Sequence, residues 1–105
     1  MKKTYIKFEM DHCMPCKFSQ QMLVSEYPEL KEQELIKNIN SLEEAETGKL
    51  NVFNITQSPE ALGEKFNVTG VPTFITLDEQ GEVVSRFSGM DNAKLKALGN
   101  EITQK

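Results

Sequence analysis

The feature that most constrains the fold is a pair of cysteines at the junction between a strand pattern and a helix pattern. Residues 5–10 alternate apolar and polar side chains, which is typical of a strand, and Met10 is expected to face the core. The C-M-P-C motif at residues 13–16 follows and contains both cysteines of the chain. Two thiols so spaced at the start of a helix can form a reversible disulfide, and the free N–H groups of the helix favour a thiolate. The pattern therefore predicts a dithiol–disulfide switch formed by Cys13 and Cys16.

Two other interpretations of the cysteine pair remain open. The first is a structural pair that lies in the core without redox chemistry. The second is a metal site, for which zinc would need four ligands, whereas the chain offers two thiols and the adjacent His12. A cluster shared between two chains would supply four sulfur atoms. Because the ligand count is against a metal, we expect none, and no bound cofactor beyond a redox-active disulfide between Cys13 and Cys16.

Length and charge exclude several classes of protein. The 105 residues predict one domain over 1–105, and the net charge of -4 argues against general binding to nucleic acid or a membrane surface. The chain contains no run of about 20 apolar residues that would span a membrane. Charges near the N-terminus interrupt the apolar stretch that a secretory signal needs. We therefore expect a cytoplasmic monomer without nucleic-acid or membrane partners.

The remaining patterns predict an α/β architecture. The predicted strands cover residues 5–10, 50–55, 71–77 and 82–88, with a hairpin turn at 78–81. The predicted helices run from the cysteine motif to Tyr27, from Leu35 to Glu46, from Ser58 to Phe66 and from Asp91 to Ile102. Asp11 and His12 are expected to cap the first helix and Ser58 the third. The order β-α-(α)-β-α-β-β-α predicts a mixed four-stranded sheet with helices on both faces.

Two motifs resemble the thioredoxin family. Residues 11–17, D-H-C-M-P-C-K, are similar to the family's W-C-G-P-C-K turn, with His12 and Met14 in place of Trp and Gly. Residues 66–74, F-N-V-T-G-V-P-T-F, are similar to the family's Y-x-V-x-G/S-x-P-T stretch, and a hairpin and a glycine follow them. The resemblance covers most of the chain and implies a thioredoxin-like fold.

The chain departs from that family at three places. Few residues precede the active-site strand, as in the shorter glutaredoxin-like layout, and the long segment 29–48 is expected to hold an added or extended helix. Lys7 aligns with the family's buried Asp, whose Lys partner aligns near Val52. Glu9 or Asp11 would substitute for that acid only if turned inward.

The helix position and the resemblance together imply roles for the residues of the cysteine turn. Cys13 is expected to be the attacking thiolate, which a protonated His12 or Lys17 would further stabilise. Cys16, one turn into the helix, is expected to be more buried and to resolve the mixed disulfide. Pro15 removes one N–H that would stabilise a thiolate, so it favours the reduction of partner disulfides over their formation.

A second set of residues is expected to contact the substrate. The resemblance implies that Pro72 is preceded by a cis bond and faces the disulfide, whereas a trans proline at a strand start is the plainer alternative. Val71 would then offer backbone groups on which an extended substrate segment pairs. The expected substrate-binding residues are Met14, Val71, Pro72, Thr73, Gly89 and Met90.

These observations favour a thiol–disulfide oxidoreductase that reduces disulfide-containing proteins and is recharged by a thioredoxin-reductase-type flavoenzyme. A glutathione-dependent enzyme of the glutaredoxin type is the alternative. The early position of the motif favours it, but residues 88–91, S-G-M-D, match only part of the Gly-Gly-x-Asp segment of glutaredoxins, and no Tyr lies between the cysteines. A non-enzymatic binding module, in which the thiols are incidental, is the third interpretation.

Overall fold

The computed structural model describes residues 2–105 and contains a five-stranded sheet with helices on both faces. The strands are β1 (Thr4–Glu9), β2 (Ile36–Ile39), β3 (Leu50–Asn54), β4 (Thr73–Leu77) and β5 (Val83–Ser88). The helices are α1 (Met14–Glu26), α2 (Glu29–Glu32), α3 (Leu62–Lys65) and α4 (Asn92–Thr103), and Leu42–Glu44 forms a 3-10 turn.

The sheet has the order β2-β3-β1-β4-β5, with β1 at its centre. β1 pairs in parallel with β3, and β3 in parallel with β2, whereas β4 and β5 run antiparallel. Because helices cover both faces, Tyr5, Ile6, Lys7 and Phe8 of β1 are all buried. Met10 lies beyond the last residue of the strand and is 44% exposed, so its expected place in the core is wrong.

Each face of the sheet has its own apolar core. Helices α1, α2 and α4 cover one face, where Leu23, Leu30 and Leu95 pack against residues of β1, β3 and β4. Helix α3 and the 3-10 turn cover the other face, where Leu62 and Leu42 pack against the opposite side chains of the same strands. The central strand is therefore held from both sides, and the cysteine turn starts where this strand ends.

The apolar pattern of the first helix predicts a stripe of Phe18, Met22 and Leu23, and the structure corrects this stripe in part. Cys16, Ser19 and Leu23 are buried at helical spacing, and Tyr27 ends the helix with its N–H bonded to the Leu23 carbonyl. Phe18, which the apolar pattern places in this stripe, lies on the exposed side instead.

Four predictions about the elements are corrected by the structure. The sheet has five strands and not four, because the segment 29–48 contributes β2 as an edge strand. The helix predicted from Leu35 to Glu46 is wrong: this segment holds β2 and the 3-10 turn, and the only α-helix within 29–48 is the short α2. α3 begins at Leu62, and Ser58 bonds Asn40 instead of capping it. Cys13, and not Asp11 or His12, caps α1.

Polar contacts attach the long segment 29–48, called the inserted segment below, to the sheet. The Glu46 carboxylate pairs with Lys37 of β2 at 2.8 Å and with Lys49 at 3.4 Å. Hydrogen bonds and ion pairs with these two lysines hold the pKa of Glu46 below its ordinary value. The buried Asn51 side chain of β3 bonds both the N–H and the carbonyl of Glu46. Side-chain contacts of Glu46, and not a continuous helix, therefore attach the C-terminal part of this segment to β2 and β3.

Candidate active site

The cysteine turn joins the end of β1 to the first turn of α1. Cys13 and Cys16 are bonded to each other, with their Cα atoms 5.3 Å apart. The Cys13 sulfur also caps α1, because it accepts a hydrogen bond from the Cys16 N–H at 3.2 Å. Pro15 occupies the first helical turn, where its missing N–H leaves no helical bond unmade. Cys13 is partly exposed, whereas Cys16 is only 3% exposed, so the two sulfur-bearing residues differ in their access to solvent.

Two basic side chains border the cysteines at the surface. His12 is exposed and has a positive φ of 59°, a left-handed conformation that turns the chain from the strand into the helix. Lys17 follows Cys16 and is also exposed. Both residues line a cleft of about 320 Å³ that also reaches Cys13 and Cys16. This arrangement agrees with their expected tuning role, which stays a prediction.

The structure brings the second motif to the same end of the sheet. The Val71–Pro72 bond is cis, as the resemblance implies, and β4 begins opposite the end of β1, with Thr73 paired to Phe8. The Gly89 N–H donates to the Pro72 carbonyl at 2.9 Å, which ties the loop before α4 to this motif. Val71 is partly exposed, so its backbone lies near the surface.

Thr73 has a mainly internal role in this motif. Its side chain is fully buried and bonds the Gly70 carbonyl at 2.6 Å and the Ser88 hydroxyl at 2.9 Å. The Thr73 hydroxyl is therefore engaged in hydrogen bonds inside the protein, and its expected role in substrate binding stays a prediction. The expected contact residues Met14 and Met90 are both exposed large apolar side chains.

Two apolar residues near the site are exposed, although the sequence pattern predicted both of them as core residues. Phe18 is 51% exposed and lies one turn after Met14 on α1, so the two side chains share a helix face. Met10 precedes the cysteine turn and lines the same cleft as Cys13. Their apolar side chains were the one sequence signal for a contact surface, but an apolar side chain indicates a core position equally well.

A buried lysine lies beneath the cysteine helix. The Lys7 side chain is fully buried, and its Nζ donates to the Cys16 carbonyl at 2.9 Å and to the Gln20 side chain at 2.8 Å. The Glu9 carboxylate lies 3.1 Å from the same Nζ. Burial lowers the pKa of Lys7, while the carboxylate of Glu9 opposes that effect.

Of the two acids near the turn, only Glu9 is directed towards Lys7. The Asp11 carboxylate accepts hydrogen bonds from Asn54 at 3.0 Å and from Gln57 at 2.9 Å instead. Asp11 therefore connects the cysteine turn to the end of β3 and to the segment after it, and it is not the acid that turns inward. Asn54 and Gln57 also line the cleft beside the cysteines.

Within residues 2–105, which the structure describes, no three His, Cys, Asp or Glu side chains are grouped as a metal ion would require. No helix in the same range has the length and the apolar character needed to cross a membrane.

Comparison with known proteins assigns the family. The model of a thioredoxin-like domain matches residues 1–102. The chain belongs to the thioredoxin-like family. It is 33% identical over 97 residues to the SPbeta prophage-derived thioredoxin-like protein YosR of Bacillus subtilis strain 168. The aligned residues cover 92% of this chain and 95% of that protein.

Solved thioredoxins share the fold of this thioredoxin-like protein. The Fasciola hepatica thioredoxin superposes with a TM-score of 0.65 at 23% identity, over 95% of this chain and 80% of that one. The Chlamydomonas reinhardtii thioredoxin f2 gives 0.63 at 22% identity, over 94% and 77% of the two chains. Together with the bonded pair Cys13–Cys16, this family membership supports a thiol–disulfide oxidoreductase.

Proposed function

We propose that this thioredoxin-like protein reduces disulfide bonds in other proteins through a cycle at Cys13 and Cys16. The observation that carries the proposal is the difference in burial within the bonded pair at the start of α1. A partly exposed cysteine at a helix N-terminus is accessible to a partner, and its thiolate is favoured there. The buried neighbour is protected from the partner but lies close enough to displace it.

The cycle consists of two exchange steps. In the reduced protein the Cys13 thiolate attacks one sulfur of the partner disulfide, so a Cys13–partner bond forms and the partner's own S–S bond breaks. The departing partner sulfur keeps the electron pair and takes up a proton. Cys16 then loses its proton and attacks Cys13, which forms the Cys13–Cys16 bond and releases the second partner sulfur as a thiol. The partner gains two electrons, and the protein is left as the disulfide.

The surface around Cys13 suits an extended protein segment. Met14, Phe18 and Met90 are exposed, and flexible thioether side chains adapt to different apolar partners. The backbone at Val71, beside the cis bond to Pro72, would pair with the segment as a short added strand. This combination recognises backbone and apolar side chains, so it favours protein disulfides over a small charged thiol.

The proposal includes the cellular setting of the cycle. The oxidised protein needs an external donor of two electrons, which we assign to a thioredoxin-reductase-type flavoenzyme. The protein is proposed to act as a cytoplasmic monomer without nucleic-acid or membrane partners and without a bound cofactor besides its own disulfide. Pro15 supports the reducing direction, because it removes a thiolate-stabilising N–H from the turn.

Insulin reduction with dithiothreitol as the electron donor tests the activity. We expect the wild-type protein to accelerate precipitation of the insulin chains and Cys13→Ser to abolish that acceleration. Cys16→Ser should instead accumulate a covalent adduct with the substrate, because the second exchange cannot occur. Absence of any acceleration by the reduced wild-type protein would refute the proposal.

The same preparations separate the other two functions. Activity with glutathione and a small mixed disulfide, but none with insulin, would support the glutaredoxin-type alternative. Undiminished partner binding by the Cys13→Ala/Cys16→Ala variant, from a wild-type protein without turnover, would support a binding module.

A further inference from the structure

The Lys7 ammonium is held in place by three acceptors. An ammonium group has three N–H donors, and the acceptors are the Cys16 carbonyl, the Gln20 side-chain oxygen and the Glu9 carboxylate. Each donor therefore has a partner, which is the condition under which a buried charge persists. These three partners fix the position of the ammonium under the first turns of α1, and the Glu9 carboxylate opposes the lowering of the Lys7 pKa by burial.

This fixed charge lies beside the residue that performs the second exchange step. One of its three acceptors, at 2.9 Å, is the carbonyl of Cys16, which only a few covalent bonds separate from the sulfur of the same residue. The buried Ser19 hydroxyl donates to that carbonyl as well, at 2.8 Å, so the backbone of Cys16 is held from two sides. Because Lys7 is fully buried, solvent screens its positive charge only weakly, and a cation beside Cys16 favours the thiolate of this residue over its thiol.

We propose that Lys7 is a positioning residue whose buried ammonium stabilises the Cys16 thiolate while Cys16 displaces the partner from Cys13. This inference rests on the proposed two-step exchange. In that step the Cys16 proton passes to water in the cleft that both Cys16 and Glu9 line. The thiolate then forms the Cys13–Cys16 bond, and the electron pair of the broken bond leaves with the partner sulfur.

Other charged groups line the same cleft as Cys16. The groups on the elements packed around the cysteine turn are Glu9 on β1, Asp11 and His12 in the turn, and Lys17 on α1. Asp11 is engaged by two amides, and His12 and Lys17 are exposed, so water screens their charges. Glu9 has the opposite sign to Lys7 and weakens its effect. Unlike these groups, Lys7 is a fully buried cation, so removing its charge should change the pKa of Cys16 more than removing any of theirs.

The decisive variant is Lys7→Met, which keeps the length of the side chain and removes the charge. In a Cys13→Ser background, ultraviolet thiolate absorbance gives the pKa of Cys16 as the single thiol. We expect Lys7→Met to raise that pKa by about one unit or more. Lys31→Met, which removes an exposed lysine of α2, is the control for net charge and should shift it by less than about 0.3 unit.

A kinetic measurement on the protein with both cysteines tests the same inference. The reduced protein reacts with a chromogenic aromatic disulfide, and the second release of aromatic thiolate reports the attack of Cys16 on Cys13. At neutral pH we expect Lys7→Met to slow this release about tenfold, and the rate should recover at alkaline pH, where Cys16 is ionised without help. A purely structural lysine would change stability without this pH-dependent recovery.

Folding of the variants is checked by circular dichroism. If Lys7→Met alone does not fold, Lys7→Met/Glu9→Gln removes both charges of the pair and should raise the Cys16 pKa in the same direction. An unchanged Cys16 pKa and an unchanged second release in a folded variant would overturn the inference, even if the wild-type protein reduces insulin. Conversely, a raised pKa together with inactivity towards insulin would retain the role of Lys7 and refute the proposed function.

Discussion

The contact between α4 and the end of α1 allows a sharp test of how the cysteine helix is held. Gly99 is buried in α4, and a Cβ atom added there would lie inside the contact distance of three ring atoms of Tyr27. The Tyr27 ring cannot easily move, because its hydroxyl lies 2.8 Å from both the Lys96 carbonyl and the Asn100 side chain. We therefore expect Gly99→Ala to displace Tyr27, the residue that ends α1.

The magnitude follows from three terms. Overpacking of a closed contact costs about 3 kcal/mol at the upper end of its usual range. Loss of one Tyr27 hydrogen bond adds about 1 kcal/mol. Replacing glycine by alanine inside a helix returns about 1 kcal/mol. The expected net loss in the free energy of unfolding is about 3 kcal/mol, which corresponds to a fall in Tm of roughly 15 °C for a domain of this size.

The assay is urea unfolding of the oxidised protein, followed by circular dichroism, with Tyr27→Ala as the matched background. Once the ring is absent, Gly99→Ala should stabilise the protein by about 1 kcal/mol, since only the helix propensity remains. The sign of the effect therefore depends on Tyr27. A neutral or stabilising effect in the wild-type background, or the same loss in both backgrounds, would refute the reasoning.

Three further variants test the surface, the inserted segment and the last helix. Phe18→Ser should lower kcat/KM for insulin about fivefold, because docking no longer buries its exposed ring, and it should affect a small aromatic disulfide less; equal losses with both substrates would contradict this. Glu46→Gln should flatten the acid dependence of the urea midpoint. The pairing with Lys37 is fully effective above the ordinary pKa of about 4.5 and is lost as the pH falls through the lowered value, so a variant as acid-sensitive as the wild type would exclude this pair. Asp91→Ala should cost about 1 kcal/mol in urea unfolding, since the Asp91 carboxylate caps α4 by accepting from the Lys94 N–H at 3.1 Å, and an unchanged midpoint would show that water replaces the cap.

The parts of the fold that were predictable depend on local chemistry. Alternation predicts β1, and the D-E-Q-G turn at residues 78–81 predicts the hairpin between β4 and β5. The hairpin follows from side-chain and backbone bonds within a few residues, such as the Gly81 N–H to the Asp78 carbonyl at 3.0 Å. The cysteine turn and the cis proline follow from two motifs. Each of these signals lies within a window of about ten residues.

The segment between Leu35 and Glu46 shows why the remainder was not predictable. Its apolar residues recur at a spacing that a helix satisfies, yet Ile36–Ile39 pairs in parallel with β3, and Ile39 is buried against the sheet. The pairing partner lies more than ten residues further along the chain, so no local signal reveals it. Pairing with the buried strand β3 at the edge of the sheet therefore makes this segment a strand, although its own apolar periodicity favours a helix.

Lys7 shows the same limit within the candidate site. In an alternating strand, a lysine between Tyr5 and Glu9 indicates a solvent-facing side, and only the packing of α1 over that side buries it. A charge placed there restricts the helix above it, because the Cys16 carbonyl must remain where the ammonium can reach it. The position of Lys7 and the position of the second cysteine therefore constrain each other. The alternation of β1 by itself places Lys7 at the surface, whereas its alignment with the buried Asp of the thioredoxin family places it beneath the cysteine helix, where the structure has it.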